Sequence, residues 1–352
     1  MLALVRNPDL EQPDLMIQSR LIATELTPAP TGLDLVRNDL PTTPPPGHLR
    51  VKVLASAINP ADINYLEGQY GDRPELPARL GMEGIATVIA HAPDTLPTPE
   101  APVPAIGSQV IFIRRCGCWA DILDVTPEDV LKVPTNLTPE QGALLKVNPM
   151  TALRMLSDFA DLNPGDWVMQ NAANSSVGEC VIQIAKKLGL RTVNVVRREG
   201  LQQPLTSLGA DAVIVDSKNT KDELMEITAG NAPKLGLNAV GGDSALRMMD
   251  CLANRGTMVT YGAMSRRAIK VPNGMLIFKQ LRLEGFWVTK WIAAQKRARL
   301  ETDYASLAQW MTDGSLRTTV SQTFPLSAYE QAFTNAKQDR RGGKVLFIPS
   351  AG

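Results

Sequence analysis

The chain has 352 residues, 44% hydrophobic and 20% charged, with 36 basic residues matching 36 acidic ones. That length exceeds one ordinary core and points to two domains or one large α/β fold. The balanced charge supplies no overall field for nucleic acid or an anionic membrane, so the expected partner is a small molecule.

No apolar run approaches the ~18–20 residues needed to cross a bilayer, and the opening MLALVRNPDLEQPD has the composition of neither a secretory leader nor a transit peptide. The expected location is the cytoplasm, or the mitochondrial matrix if a presequence has been removed. Four cysteines make no disulfide framework, and Cys180 and Cys251 are too remote from Cys116 and Cys118 to complete a zinc site with them. His48 and His91, the only histidines, sit among prolines and alanines and read as loop residues.

Residues 26–49 are proline-rich and broken, after which HLRVKVLASAIN alternates as a strand should. The second proline-rich stretch, 91–107, separates the apolar runs EGIATVIA and QVIFIRR and reads as a long surface loop between strands. Near Asn148 the organisation changes. TALRMLSDFADL has helical periodicity, NPGD makes a turn, and strands then alternate with helices from WVMQNA to TMVTYGA. That rhythm predicts βαβ units in a parallel sheet. The tail VSQTFPL, YEQAFTNAK and KVLFIP returns to the β-rich character of the first third. The predicted fold is therefore α/β: a doubly wound Rossmann domain, 147–312, inserted into a β-rich domain of 1–146 plus 313–352.

The turn NAANSSVG lies at the carboxyl end of a predicted strand and opens a helix whose apolar stripe is Val177, Val181, Ile184, Ala185 and Leu188. Free N–H groups and the dipole at a helix start attract phosphate. Of the GxGxxG fingerprint only Gly178 survives, so the turn alone also fits an ordinary βα connection. The next strand ends on Arg197 and Arg198, where NAD-binding folds place an acid ~20 residues after the turn to hold the ribose hydroxyl. Guanidinium pairs with a 2′-phosphate instead, which favours NADPH over NADH.

These segments together resemble the medium-chain dehydrogenase/reductase superfamily, whose β-rich domain is GroES-like. Many of its alcohol dehydrogenases hold zinc through a cysteine and a Gly-His-Glu motif. Here LGMEGIA puts Met82 at the histidine position and INPADIN has no cysteine, so no metal is expected. The closer resemblance is to the zinc-free 2-enoyl thioester reductases. It is carried by INPADINYLEGQYGDRPELPARLGMEG, KVNPMTALRML, QNAANSSVG, LGLRTVNVVR, LNAVGG, GTMVTYGAM and LIFKQLRLEGFWVTKW.

The resemblance implies NADPH-dependent saturation of an acyl thioester on CoA or acyl-carrier protein, and a homodimer formed through edge strands near 258–289. Tyr70 in EGQYG matches the family's catalytic acid. Asn148, Asn174, Ser175, Ser176, Val177, Arg197, Arg198, Tyr261, Gly262, Ala263, Met264, Phe286, Trp287, Val288, Thr289 and Lys344 match positions that line the cofactor. Ser176 and Ala263 replace usual glycines, and Arg197-Arg198-Glu199 replaces a common Arg-Asp-Arg. Two rival readings stay open: a quinone or enone oxidoreductase, since the scaffold alone does not specify the acceptor, and a non-catalytic NADPH-binding protein.

Overall fold

The computed structural model describes residues 15–338 and 342–349, so the expectation about the opening MLALVRNPDLEQPD lies outside them. The chain divides into two compact units. The first runs through Thr135 and resumes at Ser321; the second spans Asn136–Val320.

The first unit opens with β1 (Leu15–Ala23), β2 (Leu33–Pro41) and β3 (Leu49–Ile58). Then come α1 (Pro60–Leu66), β4 (Ala78–Arg79), β5 (Gly84–His91), β6 (Gln109–Phe112), β7 (Ile122–Val125) and β8 (Val130–Lys132). Strand β2 corrects the reading of 26–49 as broken chain: it pairs antiparallel with β1 from Leu15↔Pro41 to Ala23↔Leu33. Its exposed polar positions, from Arg37 to Asp39, hid the alternation. The segment 92–108 is the expected connection between β5 and β6, and its apolar Leu96 and Ile106 stand exposed.

Strand β3 is the centre of the larger sheet because it is buried along most of its length, pairing with both β5 and β7. Its inward residues Leu49, Val51 and Val53 pack on Val88, Val110 and Phe112. A second cluster forms around the fully buried Trp119, whose indole meets the rings of Phe333 and Phe347 edge-on at 5.3 and 5.6 Å. Its N–H donates to the Ala57 carbonyl at 3.0 Å, so its one polar atom is satisfied.

The second unit begins with α2 (Pro139–Ala143), α3 (Asn148–Asp158), β9 (Trp167–Gln170), α4 (Ser176–Lys187) and β10 (Arg191–Val196). It continues with α5 (Gln202–Leu208), β11 (Ala212–Val215), α6 (Thr220–Ile227), β12 (Leu235–Asn238), α7 (Gly242–Cys251) and β13 (Thr257–Thr260). The last elements of this unit are α8 (Asn273–Ile277), β14 (Arg282–Gly285), α9 (Val288–Ala294) and α10 (Arg297–Thr312). After β15 (Val320–Phe324), α11 (Tyr329–Ala336) and β16 (Lys344–Phe347) complete the first unit.

The six strands of the second unit are all parallel, in the order β11-β10-β9-β12-β13-β14. This is the doubly wound order, whose direction of winding reverses between β9 and β12. Such strands are covered on both faces, and every residue of β9 and β12 is buried.

Helix α4 is buried more widely than its predicted stripe, since Cys180, Ile182 and Gln183 are covered too. Ile182 packs with Val196, Leu205 and Ala210, while α3 covers another side. The unit junctions fall at 135/136 and 320/321, outside the expected 146/147 and 312/313. The reason is local: Gln141 of α2 donates to the Met311 carbonyl at 2.9 Å and the Tyr304 hydroxyl to the Lys146 carbonyl at 3.2 Å, tying the segment before α3 to α10.

Candidate active site

In the second unit the carboxyl ends of the strands carry most of the expected cofactor residues. Asn171, just past β9, donates through Nδ2 to Asn238 Oδ1 at 2.9 Å and to Ser244 Oγ at 3.1 Å, and accepts from the Ala239 N–H at 2.7 Å. This buried amide network spans the point where the winding reverses, and it holds the turns after β9 and β12 in register. Neither Asn171 nor Asn238 is among the expected site residues, although both lie in the matching segments QNAANSSVG and LNAVGG. The signal was present: an asparagine at the same place in two apolar strand ends.

The turn after β9 is tight. Ala172 takes a left-handed φ of 50°, uncommon for a residue with a Cβ and a frequent mark of a functional turn. Ser175 caps α4, accepting from the Gly178 N–H at 3.2 Å. Gly178 is required by contact rather than by φ: a Cβ there would meet the Ala173 carbonyl oxygen at 2.4 Å. Asn174 is exposed, and Ser176 and Val177 are half-buried at the first turn of the helix. Arg197 and Arg198 follow β10 directly, the first exposed and the second half-buried.

Asn148 begins α3 and is buried, with its Nδ2 lacking a partner among the described residues. Tyr261 follows β13, its N–H donating to the Asn238 carbonyl at 3.0 Å. Burial pushes its phenol well above the usual tyrosine range, with Ser175 partly offsetting it. Beyond this interaction with Ser175, its hydroxyl makes no hydrogen bond of ordinary geometry among the described residues.

Gly262 lies close under the Ala239 carbonyl, 3.0 Å from where its Cβ would be, and Ala263 and Met264 are exposed. Phe286 packs edge-on against Phe159 at 5.6 Å, Trp287 caps α9, Val288 is buried and Thr289 half-buried. Helix-start amides, the buried Asn148 amide without a partner among the described residues, the Tyr261 hydroxyl beside Ser175 and two arginines after β10 are the donor set a phosphorylated dinucleotide needs. The residues present fit NADPH.

Lys344 is carried by the first unit, not the second. Its buried Nζ donates to Asn59 Oδ1, and Asn59 Nδ2 donates in turn to Glu83 Oε1 at 2.7 Å. Asp62 completes this cluster, its carboxylate accepting from the N–H groups of Asn59 at 3.0 Å and Met82 at 3.1 Å. The pattern Asn59-Pro60-x-Asp62 is a helix-start signature legible in the sequence. Burial pushes Asp62 up to about 7 against the pull of the Asn59 amide, and the negative charge of Glu83 adds to the rise.

Tyr70 follows α1, half-buried, and the Arg115 guanidinium lies 5.9 Å from its ring centroid. Arg115 was not among the expected site residues. Cys118 is buried with its thiol donating to the Glu83 carbonyl at 3.0 Å. Among the described residues no group of His, Cys, Asp and Glu is arranged to hold a metal, and no helix is long and apolar enough to cross a membrane.

Two family descriptions match the chain: "Alcohol dehydrogenase GroES-like domain" over 45–135 and "Zinc-binding dehydrogenase" over 176–309. The mitochondrial enoyl-[acyl-carrier-protein] reductase of Xenopus tropicalis is 38% identical over 323 residues, 87% of this chain and 89% of that protein. The human enzyme of the same name is 40% identical over 291 residues, 81% of this chain and 76% of that protein. The structure of a complex of Etr1p with NADP and crotonyl-CoA is similar at 28% identity, with a TM-score of 0.84, covering 95% of this chain and 100% of that one. The chain belongs to the medium-chain dehydrogenase/reductase superfamily, in its enoyl thioester reductase family.

Proposed function

We propose that this protein reduces the C2=C3 double bond of trans-2-enoyl thioesters with NADPH, a step of fatty-acid synthesis. The observation that carries the reading is the end of β10, where Arg197 and Arg198 stand in place of a carboxylate, in a chain similar to enoyl reductases over most of its length.

Arg197 and Arg198 hold the 2′-phosphate of the cofactor, and the first N–H groups of α4 take its pyrophosphate. Asn148 Nδ2, buried and without a hydrogen-bond partner among the described residues, and the Tyr261 hydroxyl beside Ser175 supply the remaining donors. Bound NADPH supplies a hydride to C3 of the acceptor. Tyr70 supplies the acid, because a phenol with a pKa of ~10 is protonated at neutral pH and able to donate. It polarises the thioester oxygen, where negative charge gathers, or delivers the proton to C2. Met82 brings a thioether, a poor zinc ligand, to the position of the metal-binding histidine, so the reaction assigned here needs no zinc.

The relatives' name favours acyl-carrier protein as the natural carrier, and the crotonyl-CoA complex of Etr1p favours CoA esters as working substrates. A homodimer through β14 is also proposed. β13 is interior, paired with β12 and β14, so the edge of the expected 258–289 segment is β14 alone. Leu283 on that edge, with Ile277 and Phe278 just before it, is exposed. The relatives are mitochondrial by name; for this chain the cytoplasm, or the matrix if a presequence has been removed, is the proposed location.

The test follows NADPH absorbance with a trans-2-enoyl-CoA for wild type and Tyr70→Phe, with NADH and a quinone as controls. NADPH-specific turnover that falls ~10²–10⁴-fold in the variant is expected. Turnover of the quinone alone would replace this reading with the quinone reductase, and NADPH binding without turnover of any acceptor would replace it with a binding protein.

A further inference from the structure

Arg114 and Arg115 are neighbours in sequence with opposite surroundings. Arg114 is exposed and pairs with Glu128 at 2.9 Å. Arg115 turns inward: its Cζ lies 3.5 Å from the Tyr65 ring centroid and 5.9 Å from that of Tyr70. Its Nη2 is buried and has no hydrogen-bond partner among the described residues. A guanidinium within ~6 Å of an aromatic face is held by the ring quadrupole, more strongly as water is excluded. Tyr65 lies in the last turn of α1 and Tyr70 follows the helix, so one cation bridges the helix end and the loop that carries the phenol.

We propose that Arg115 is a positioning residue for Tyr70. It holds the ring through this shared stacking, and its charge stabilises the negative charge that develops on the Tyr70 oxygen as the proton leaves. In that step the Tyr70 O–H bond breaks, a C–H bond forms at C2 of the enolate left by hydride addition at C3, and the phenolate regains a proton from solvent. The inference rests on the reading of Tyr70 as the acid. The ionisable groups facing the pair include Tyr65 and Asp62 of α1, with Glu83 and Lys344 acting on Asp62, which is itself coupled to Arg115.

The experiment compares wild type, Arg115→Met, Arg115→Lys and Tyr70→Phe with crotonyl-CoA and NADPH from about pH 6 to 10. Arg115→Met is expected to lower kcat about tenfold or more with KM for NADPH unchanged, and to move the alkaline limb of the rate to higher pH. Arg115→Lys should restore both, since it keeps the cation. Arg115→Met with wild-type kcat and an unmoved limb, beside a crippled Tyr70→Phe, overturns this inference and leaves Tyr70 in place. A rise in substrate KM alone makes Arg115 a binding group and also overturns it. Wild-type kcat in Tyr70→Phe overturns both readings.

Should Arg115→Met fail to fold, judged by lost NADPH fluorescence, the wild type decides. The phenolate absorbance of Tyr70, taken as wild type minus Tyr70→Phe, should appear with a midpoint below ~10. A midpoint at or above that value overturns the inference.

Discussion

The Nζ of Lys344 donates to the Oδ1 of Asn59, so a strand close to the end of the chain steadies the residue that starts α1. Asn59 and Lys344 are 2% and 3% exposed, and a buried polar atom that loses its partner keeps its full desolvation cost. Lys344→Met is therefore expected to lower stability by ~1–3 kcal/mol, read by chemical denaturation. A variant as stable as wild type would show that this contact contributes nothing net.

The place of α4 against the turn depends on the missing side chain of Gly178. A Cβ there would lie 2.4 Å from the Ala173 carbonyl oxygen and 2.7 Å from its carbon, both backbone atoms that no rotamer change can move. Gly178→Ala should cost ~1–3 kcal/mol by overpacking. It should also weaken NADPH binding, since the helix start would shift away from the turn. Thermal melting and cofactor titration check the two parts separately.

Arg197 is exposed and follows a strand whose six residues are otherwise buried except Arg191, so replacing it leaves the core intact. Arg197→Ala is expected to raise KM for NADPH ~10–100-fold, the worth of a charge-assisted pair, while the slow reaction with NADH is unchanged. Equal losses with both cofactors would move the 2′-phosphate contact elsewhere, Arg198 being the next residue to replace.

Asp62 gives the protein a pH-dependent stability of unusual sign. Its folded carboxyl is pushed up to about 7 by burial, whereas in the unfolded chain it ionises near ~4. Between those values the folded state keeps a proton that the unfolded state has released, so stability falls as pH rises through the window. Glu179, raised to about 7 by burial, acts in the same direction. Denaturation of wild type and Asp62→Asn between about pH 4 and 8 should therefore show a shallower decline in the variant. Parallel slopes would remove Asp62 from the account.

If the proposed homodimer forms through the exposed Leu283 on the edge strand β14, Leu283→Lys shifts it toward monomer while each protomer stays folded. Sedimentation of the two proteins at matched concentration checks it.

The alternation of short apolar runs with amphipathic stretches determined the second unit by itself, because parallel strands buried on both faces must read as near-continuous hydrophobic segments. The same logic made the NAANSSVG turn and the two arginines legible as the proposed cofactor site, since phosphate recognition generally depends on local backbone and on one strand end. Strand β2 escaped because its exposed face is polar and its edges rich in proline, so only its pairing with β1 reveals it. The Asn171–Asn238 amide pair and the Lys344–Asn59–Glu83 cluster join residues 67, 285 and 24 positions apart. No periodicity connects such partners. Arg115 beside Arg114 shows the same limit at the smallest scale: two adjacent identical side chains, one solvated in an ion pair and one stacked over two phenols, are distinguished only by what the fold brings to meet them.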